Sequence, residues 1–316
     1  TVYEIIKALV PDAATAGTKP GNRQRQVNVL AGSMLTPGDL EALRELIEAF
    51  NLRPVLVPDL SESLDGCLSD ADFSPVTTGG TLVSELLTLG EATATLVIGD
   101  ALQKAGGLLQ EKTGVPSHYF SHLYGLEATD NLVLQLAEIG ASPVPATLER
   151  QRAQLQDAML DTHFMLGQLR VAIAADPDQL HAFIDLLQSM GVNVVTAVSA
   201  SNSASLANIN LDQIKIGDLE DLELLAKQQQ AQLLIGNSHA VASANRLAIP
   251  ILRAGFPLYD VIGGYQKTWI GYRGSRQTLF DLANLVINFA HEEIEVYHSP
   301  YAQKPAFEQS QSHLCH

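Results

Sequence analysis

The chain has 316 residues, enough for two domains, since single hydrophobic cores seldom grow past about 250 residues. Its 35 acidic against 19 basic side chains leave a net charge of −16, which repels phosphate backbones and anionic lipid and argues against nucleic acid or a membrane surface as partner. No apolar run approaches the roughly 18 residues of a membrane helix, and two cysteines, Cys67 and Cys315, are too few for a disulfide framework and fit a reducing, cytoplasmic setting.

The first residue is Thr1 rather than Met, which sets the expectation that residues have been lost upstream. Residues 1–24 are mixed, with 13–21 rich in Ala, Gly, Thr and Pro, and read as a lead-in and linker. A first lobe over 25–144 opens with a strand at 27–31. Thr36-Pro37-Gly38-Asp39 then starts a helix, with Thr as N-cap, Pro at N1 and an acid at N3, and Leu40, Leu43, Ile47 and Phe50 form its buried stripe. A strand at 54–58, a Ser/Asp/Gly-rich loop at 59–80, a helix at 81–89 and a strand at 93–98 ending in Gly99-Asp100 follow. A helix to 113 and a strand at 115–120 complete the lobe.

Residues 145–168 predict a long connecting helix, because no Gly or Pro interrupts the run from Ala146 to Leu166. Leu148, Leu155, Met159 and Leu166 share one stripe, while Gln151, Gln154, Asp157 and Asp161 fall largely elsewhere. A second lobe over 169–297 repeats the plan: strand 170–175, helix 177–190, strand 192–198, helix 218–230, strand 232–235, helix 240–247, strand 250–253 and a closing helix at 277–293. Residues 298–316 read as a polar tail.

The lobes overlay as an internal repeat. Leu96-Val97-Ile98-Gly99-Asp100 matches Leu233-Leu234-Ile235-Gly236-Asn237, and Val115-Pro116 matches Ile249-Pro250. Strands alternating with helices mean right-handed crossovers, so the fold class is α/β, two Rossmann-like lobes with mainly parallel sheets joined by a long helix. Such sheets bind ligands at the carboxyl ends of their strands. That directs attention to Gly32-Ser33, Asp59, Gly99-Asp100 and Ser121-His122, and to Asp176, Ser199, Asn237-Ser238-His239 and Ala254-Gly255-Phe256.

Dinucleotide and phosphate fingerprints are absent: there is no Gly-x-Gly-x-x-Gly after a strand and no Gly-x-x-x-x-Gly-Lys-Ser/Thr. His118 lies in a predicted strand and His122 beyond it, so they need not share a face and read as core and loop polar residues. His313-Leu314-Cys315-His316 offers soft ligands but is terminal, which suits adventitious metal. His239 lines a strand end or belongs to an N-cap region served by Asn237 and Ser238. Thr77-Thr78-Gly79-Gly80-Thr81 has the composition of an anion nest or of a flexible turn. Arg253-Ala254-Gly255-Phe256-Pro257 and Gly271-Tyr272-Arg273-Gly274 read as tight loops at an interface, and neither pairs a nucleophile with a base. No catalytic constellation assembles.

Six segments carry a family likeness: residues 32–39, 75–81, 150–163, 216–221, 234–239 and 253–257. Together they resemble the NifN-type scaffolds of nitrogenase iron-molybdenum cofactor biosynthesis, relatives of the nitrogenase molybdenum-iron protein β subunit. The resemblance implies a nitrogenase component 1-like fold of three lobes, of which this chain matches the last two, leaving the amino-terminal lobe missing. It further implies a cytoplasmic α2β2 heterotetramer with the partner scaffold NifE, service by the nitrogenase iron protein, and maturation of an iron-sulfur cofactor precursor by insertion of molybdenum and homocitrate. A bridging iron-sulfur cluster is implied as well, on the partner and the missing lobe, and neither Cys67 nor Cys315 matches its ligand.

In cofactor-bearing relatives one Cys follows the strand matching 95–98 and one His the strand matching 250–253. Here Gly99-Asp100 stands in the first place and no His occurs over 250–260, so the resemblance implies a subunit that ligates no cofactor, is not itself catalytic and works as architecture. Subunit contacts are expected from Arg150, Arg152, Gln154, Asp157 and His163 on the connecting helix and from Tyr272 and Arg273 in the 271–274 loop. Two rivals stand beside this reading. One is a catalytic β subunit of a nitrogenase or of the nitrogenase-like dark-operative protochlorophyllide reductase; the other is a stand-alone two-lobed small-molecule binding protein or glycosyltransferase-like enzyme.

Overall fold

The computed structural model describes residues 2–62 and 79–292. Cys67, most of the 59–80 loop with the Thr77 and Thr78 part of the nest, the 298–316 tail and its His313-Cys315-His316 cluster lie outside the described residues. No described helix is long and apolar enough to cross a membrane.

Two all-parallel sheets carry the chain. The first has β1 (Gln26–Ala31), β2 (Arg53–Val57), β3 (Ala94–Ile98) and β4 (Ser117–Phe120) in the order β2-β1-β3-β4. The second has β5 (Arg170–Ala174), β6 (Asn193–Ser199), β7 (Lys215–Ile216), β8 (Leu233–Gly236) and β9 (Ile251–Arg253) in the order β7-β6-β5-β8-β9. Every residue of β1, β3 and β8 is buried, as expected where helices cover both faces of a parallel sheet. β3 and β8 occupy the same place beside the first strand of their sheets, which is the repeat read from Leu96–Asp100 and Leu233–Asn237. Strand order reverses between β1 and β3 and again between β5 and β8, so each lobe has its crevice there.

The helices are α1 (Val2–Leu9), α2 (Ala13–Ala16), α3 (Pro37–Glu48), α4 (Val83–Leu86), α5 (Gln103–Thr113), α6 (Gly125–Gly140), α7 (Ala146–Leu166), α8 (Pro177–Ser189), α9 (Leu219–Gln228), α10 (Val241–Leu247) and α11 (Gly271–Glu292). The structure departs from the sequence reading in four places. Residues 2–9 are not a loose lead-in but a helix: Ile6 and Val10, four apart on one face, are buried with Leu30, Val55, Val97 and Leu109. Residues 125–140, left unassigned above, form α6, whose Leu132, Val133 and Leu136 enter the core. The helix expected at 81–89 breaks into α4 and a 3-10 turn at Leu89–Glu91, with Gly90 closed in by Thr18 and Thr113. The closing helix starts at Gly271, so the 271–274 stretch is its first turn and not a loop. Gly274 permits this, because a Cβ there would lie 2.4 Å from the Trp269 carbonyl carbon.

α7 does connect the lobes, with Leu148, Leu155 and Leu166 buried and Met159 packed at the core edge. One continuous core runs through both lobes, from Val29, Leu43 and Leu96 through Leu132 and Leu155 to Ile173, Leu187, Leu233 and Leu279. Tyr124, Phe183 and Trp269 form its aromatic centre, with ring centroids 5.4 Å apart for Tyr124–Phe183 and 5.6 Å for Phe183–Trp269.

A hydrogen-bonded seam accompanies this core. The capping box foreseen at Thr36 is formed: Asp39 N–H donates to Thr36 Oγ1 at 3.0 Å and Thr36 N–H to Asp39 Oδ2 at 3.0 Å. The second carboxylate oxygen then accepts the N–H of Trp269 at 2.6 Å and of Ile270 at 3.1 Å, from the other lobe. Thr36 Oγ1 donates to the Lys267 carbonyl at 2.7 Å, and Thr268 Oγ1 to the Gly38 carbonyl at 3.2 Å. Gly38 allows the approach, since a Cβ there would fall 2.2 Å from the Gln266 carbonyl oxygen.

Asp39 is completely buried, and burial pushes its carboxyl up to about 6 against the lowering effect of the Trp269, Thr36 and Ile270 amides. A carboxyl raised in the folded state binds more protons there than in the unfolded chain, so its contribution to stability falls as pH rises from about 4 to about 6. Denaturant titrations of wild type and Asp39→Asn should show the stability difference moving against wild type across that window and level above about pH 7. Movement in the opposite direction would contradict this assignment.

Candidate functional site at the lobe seam

The crevice between β1 and β3 is filled from the second lobe. Gly99 has φ of 104°, and a Cβ on it would lie 2.7 Å from Asp178 Oδ2, so glycine lets the first turn of α8 sit over the end of β3. There Asp178 Oδ2 accepts the Ala101 N–H at 3.3 Å. Asp100 turns its Oδ1 to Ser121, whose hydroxyl donates at 2.9 Å. Of the strand-end residues singled out in the first lobe, the fold thus brings together Asp100, Ser121 and His122. Asp59 is occupied elsewhere, accepting from the Ser61 hydroxyl and pairing with Arg44.

Three residues of this cluster escaped the sequence reading: Asp178, His181 and Asp185. They stand at i, i+3 and i+7 on α8, a polar row on a helix whose remaining faces are largely buried apolar residues. That row was the available signal. It meets His122, which is 8 % exposed and lies with its Nε2 2.9 Å from Asp185 Oδ2. His181 lies between two carboxylates, its Nδ1 3.5 Å from Asp100 Oδ2 and its Nε2 3.5 Å from Asp185 Oδ2.

Nitrogen and oxygen atoms of His122, His181 and Asp185 come within 4.8 Å of one another, close enough for a shared metal ion. Proton bookkeeping argues against that set. The Tyr124 N–H can only donate, and it points at His122 Nδ1 at 3.2 Å, so Nδ1 carries the lone pair and Nε2 carries the proton. His122 therefore donates to Asp185 and has no free lone pair for a metal. Burial raises the Asp185 carboxyl, but the His122 hydrogen bond and the nearby His122 and His181 rings together hold it below its ordinary range. Burial, with Asp100 alongside, pushes Asp178 up, while the Ala101 amide opposes it.

Ser121, His122, His181 and Asp185 line an open cleft of about 1320 Å³ between β4, the start of α6 and α8, which His118, Tyr119 and Glu127 also line. His118 and His122 thus share a cleft, although His122 finds its partners on α8. The second lobe's crevice is smaller, about 220 Å³, and is lined by Asp176, Asn237, His239, Ala254, Gly255 and Phe256. Asn237 Oδ1 accepts the His239 N–H at 3.1 Å, the capping arrangement weighed for that sequence. Ser199 is buried and bonds to the Ser201 carbonyl.

The residues expected at subunit contacts divide into two groups. Arg150, Asp157 and His163 are exposed on α7. Tyr272 is not: it is 3 % exposed, its hydroxyl donates to Asp130 at 2.6 Å, and burial with that acceptor pushes its phenol up. Arg152 forks onto the same Asp130, Gln154 accepts from Arg276 at 2.6 Å, and Arg273 pairs with Glu45 at 2.6 Å. These four side chains brace α7, α6, α3 and α11 within the chain. α7 also exposes large apolar side chains, with Leu160 73 % and Phe164 87 % exposed.

A family described as nitrogenase component 1 type oxidoreductase matches residues 1–287. The chain is 43 % identical over 292 residues to the nitrogenase iron-molybdenum cofactor biosynthesis protein NifN of Bradyrhizobium diazoefficiens, covering 92 % of this chain and 61 % of that protein. It is 40 % identical over 301 residues to the protein of that name from Klebsiella pneumoniae, covering 95 % and 65 %. It therefore spans less than two thirds of these curated relatives. The solved structure of nitrogenase Cp1 at pH 6.5 superposes with a TM-score of 0.82 at 27 % identity, over 94 % of this chain and 67 % of that one.

Nitrogen-detected NMR of the imidazoles at neutral pH should find His122 as the Nε2–H tautomer. An Nδ1–H tautomer would break the proton order from Tyr124 to Asp185.

Proposed function

The chain belongs to the nitrogenase component 1 type oxidoreductase family, and from that membership we propose that it is a NifN-type scaffold subunit of iron-molybdenum cofactor biosynthesis. The observation that carries this reading is the 43 % identity over 92 % of the chain to a protein of that name. In this role it pairs with a NifE-type subunit as an α2β2 heterotetramer in the cytoplasm. The complex houses maturation of an iron-sulfur precursor by insertion of molybdenum and homocitrate, with the nitrogenase iron protein as visiting reductase, before the cofactor passes to the molybdenum-iron protein.

The chemistry at the strand ends supports an architectural share of that work. Iron-sulfur clusters are held chiefly by thiolates, with imidazole in some sites. After β3 this chain places Gly99-Asp100, and the turn after β9 runs Ala254-Gly255-Phe256-Pro257 with no imidazole or thiol. The cluster and the precursor are accordingly assigned to the partner and to a further lobe of the kind the longer relatives possess, and this subunit shapes the enclosure.

Contact with other subunits is assigned to the outer face of α7, where Leu160 and Phe164 are one turn apart among exposed Arg150, Asp157 and His163. A helix presenting large apolar side chains between charges fits an interface core with a polar rim. Tyr272 is buried against Asp130 and adds no surface there, whereas Arg273, exposed beside its Glu45 partner at the start of α11, stays a contact candidate.

Co-expression with a NifE-type partner tests both points. The wild-type chain should co-purify as a heterotetramer with iron on the partner, while the double change Leu160→Asp, Phe164→Asp should weaken assembly by at least tenfold and leave the melting temperature of the unassembled chain unchanged. Full assembly of the double variant would overturn the surface assignment. Dinitrogen reduction by the complex would instead favour a catalytic β subunit and overturn the scaffold reading.

A further inference from the structure

β4 is an edge strand, paired only with β3. The Pro116 carbonyl accepts the Thr95 N–H and the Phe120 carbonyl the Gly99 N–H, both at 2.8 Å. Successive residues of a strand turn their backbone groups to opposite sides, so Pro116, His118 and Phe120 face β3 while Ser117, Tyr119 and Ser121 face outward. The outward Ser117 N–H is taken by Gln110 Oε1 at 3.1 Å, whereas the N–H and C=O of Tyr119 have no partner among the described residues. Tyr119 is 47 % exposed, and Ser117–Phe120 carries no proline, bulge or lysine to guard this edge. All four residues of β4 line the cleft of about 1320 Å³, which therefore runs along the free edge. On α6, Glu127, Asn131 and Leu134 stand at i, i+4 and i+7 and line it with one exposed face. Asp185 on α8 lines it too, with its side chain 40 % exposed. Among the described residues no Lys or Arg lines this cleft, and Glu127 has no cation as partner.

We propose that this cleft receives an extended, basic segment of a partner protein, which adds as a strand to the free edge of β4 and brings cationic side chains to Glu127 and Asp185. Two demands are met together. A strand laid along β4 satisfies the Tyr119 amide and carbonyl, the kind of main-chain bonds that supply affinity in strand addition, while its side chains meet the cleft walls and supply specificity. Carboxylates on a wall without Lys or Arg then select a partner of opposite charge. A second copy of this chain fits poorly, because pairing β4 with itself would bring two sets of the same carboxylates together on chains of net charge −16. Leu160 and Phe164 do not line the cleft, so this surface is distinct from the outer face of α7, and it does not rest on the scaffold reading.

The probe is an acetylated peptide of about eight residues alternating valine and arginine, titrated into the full chain by calorimetry. One equivalent should bind saturably below about 1 mM and more weakly as salt rises, while the valine and glutamate counterpart should not bind. N-methylation of one alternate set of peptide amides should weaken binding by about tenfold or more and that of the other set leave it unchanged, because only one set points at β4. Glu127→Lys, at an exposed position, should weaken binding by about tenfold, whereas Leu160→Asp on the outer face of α7 should leave it unchanged. Hydrogen exchange of the wild-type chain, which depends on no variant, should show the Tyr119 amide slowed by the bound arginine peptide. Absence of saturable binding, equal affinity for the two peptides, equal effects of the two methylated sets, an unprotected Tyr119 amide, or a dimer of the chain alone that protects that amide would each overturn the proposal.

Discussion

One carboxylate ties the two lobes together. Asp39 closes the capping box of α3 with one oxygen and receives the Trp269 and Ile270 amides with the other, so a single buried side chain satisfies backbone donors from both lobes. The cost of burying it is offset only because those donors have no other partner, and leaving a buried N–H unpaired costs about 1–3 kcal/mol. The consequence propagates along the chain. Fixing residues 269–270 fixes the first turn of α11, where Ser275 Oγ receives the Gly125 N–H and Tyr272 and Arg276 reach Asp130 and Gln154. α6, α7 and α11 are thereby locked around the Tyr124, Phe183 and Trp269 rings.

That rigidity decides what the strand-end crevices can do. In an open α/β sheet the gap where strand order reverses usually receives a ligand. Here the first lobe's gap receives the start of α8, and Asp178 caps the amide at Ala101 where a ligand's anionic group would otherwise sit. The polar groups displaced to the rim, Asp100, Ser121 and His122, meet His181 and Asp185 and form a network that crosses the seam beside the Asp39 latch. Stability and site geometry therefore share one cause, the docking of the second lobe onto the first.

Much of this was legible in the sequence where local chemistry decides structure. Thr36-Pro37-Gly38-Asp39 announces its own capping box, the strands expected at 27–31, 93–98 and 232–235 are the fully buried parallel strands β1, β3 and β8, and the repeat of Leu96–Asp100 in Leu233–Asn237 matches the equivalent places of β3 and β8. The losses came where distant packing overrode local signals. Eight residues at Val2–Leu9 are too few for periodicity to stand out, and only the groove beside α5 makes Ile6 a core residue. The two glycines of Gly271–Gly274 resemble a loop, yet Gly274 is there for close approach to Trp269 inside a helix. Tyr272 reads as a surface aromatic from its neighbours alone because its acceptor, Asp130, is far away in sequence. At the site, strand-end residues could be named from the alternation of elements, whereas the α8 row could not, since its meaning depends on which helix face the other lobe covers.

Membership of the nitrogenase component 1 type family gives this architecture its setting, and the docking of the two lobes as one body is the claim on which the reading of both the seam and the outer face of α7 depends. Native-state hydrogen exchange measures it most directly. If the lobes form one cooperative unit, the Trp269 and Ile270 amides should exchange only through global unfolding, with the same free energy and denaturant dependence as the central amides of β3 and β8. Exchange of those two amides through a smaller, denaturant-insensitive opening, while both sheets stay protected, would show that the lobes part independently and would contradict the account.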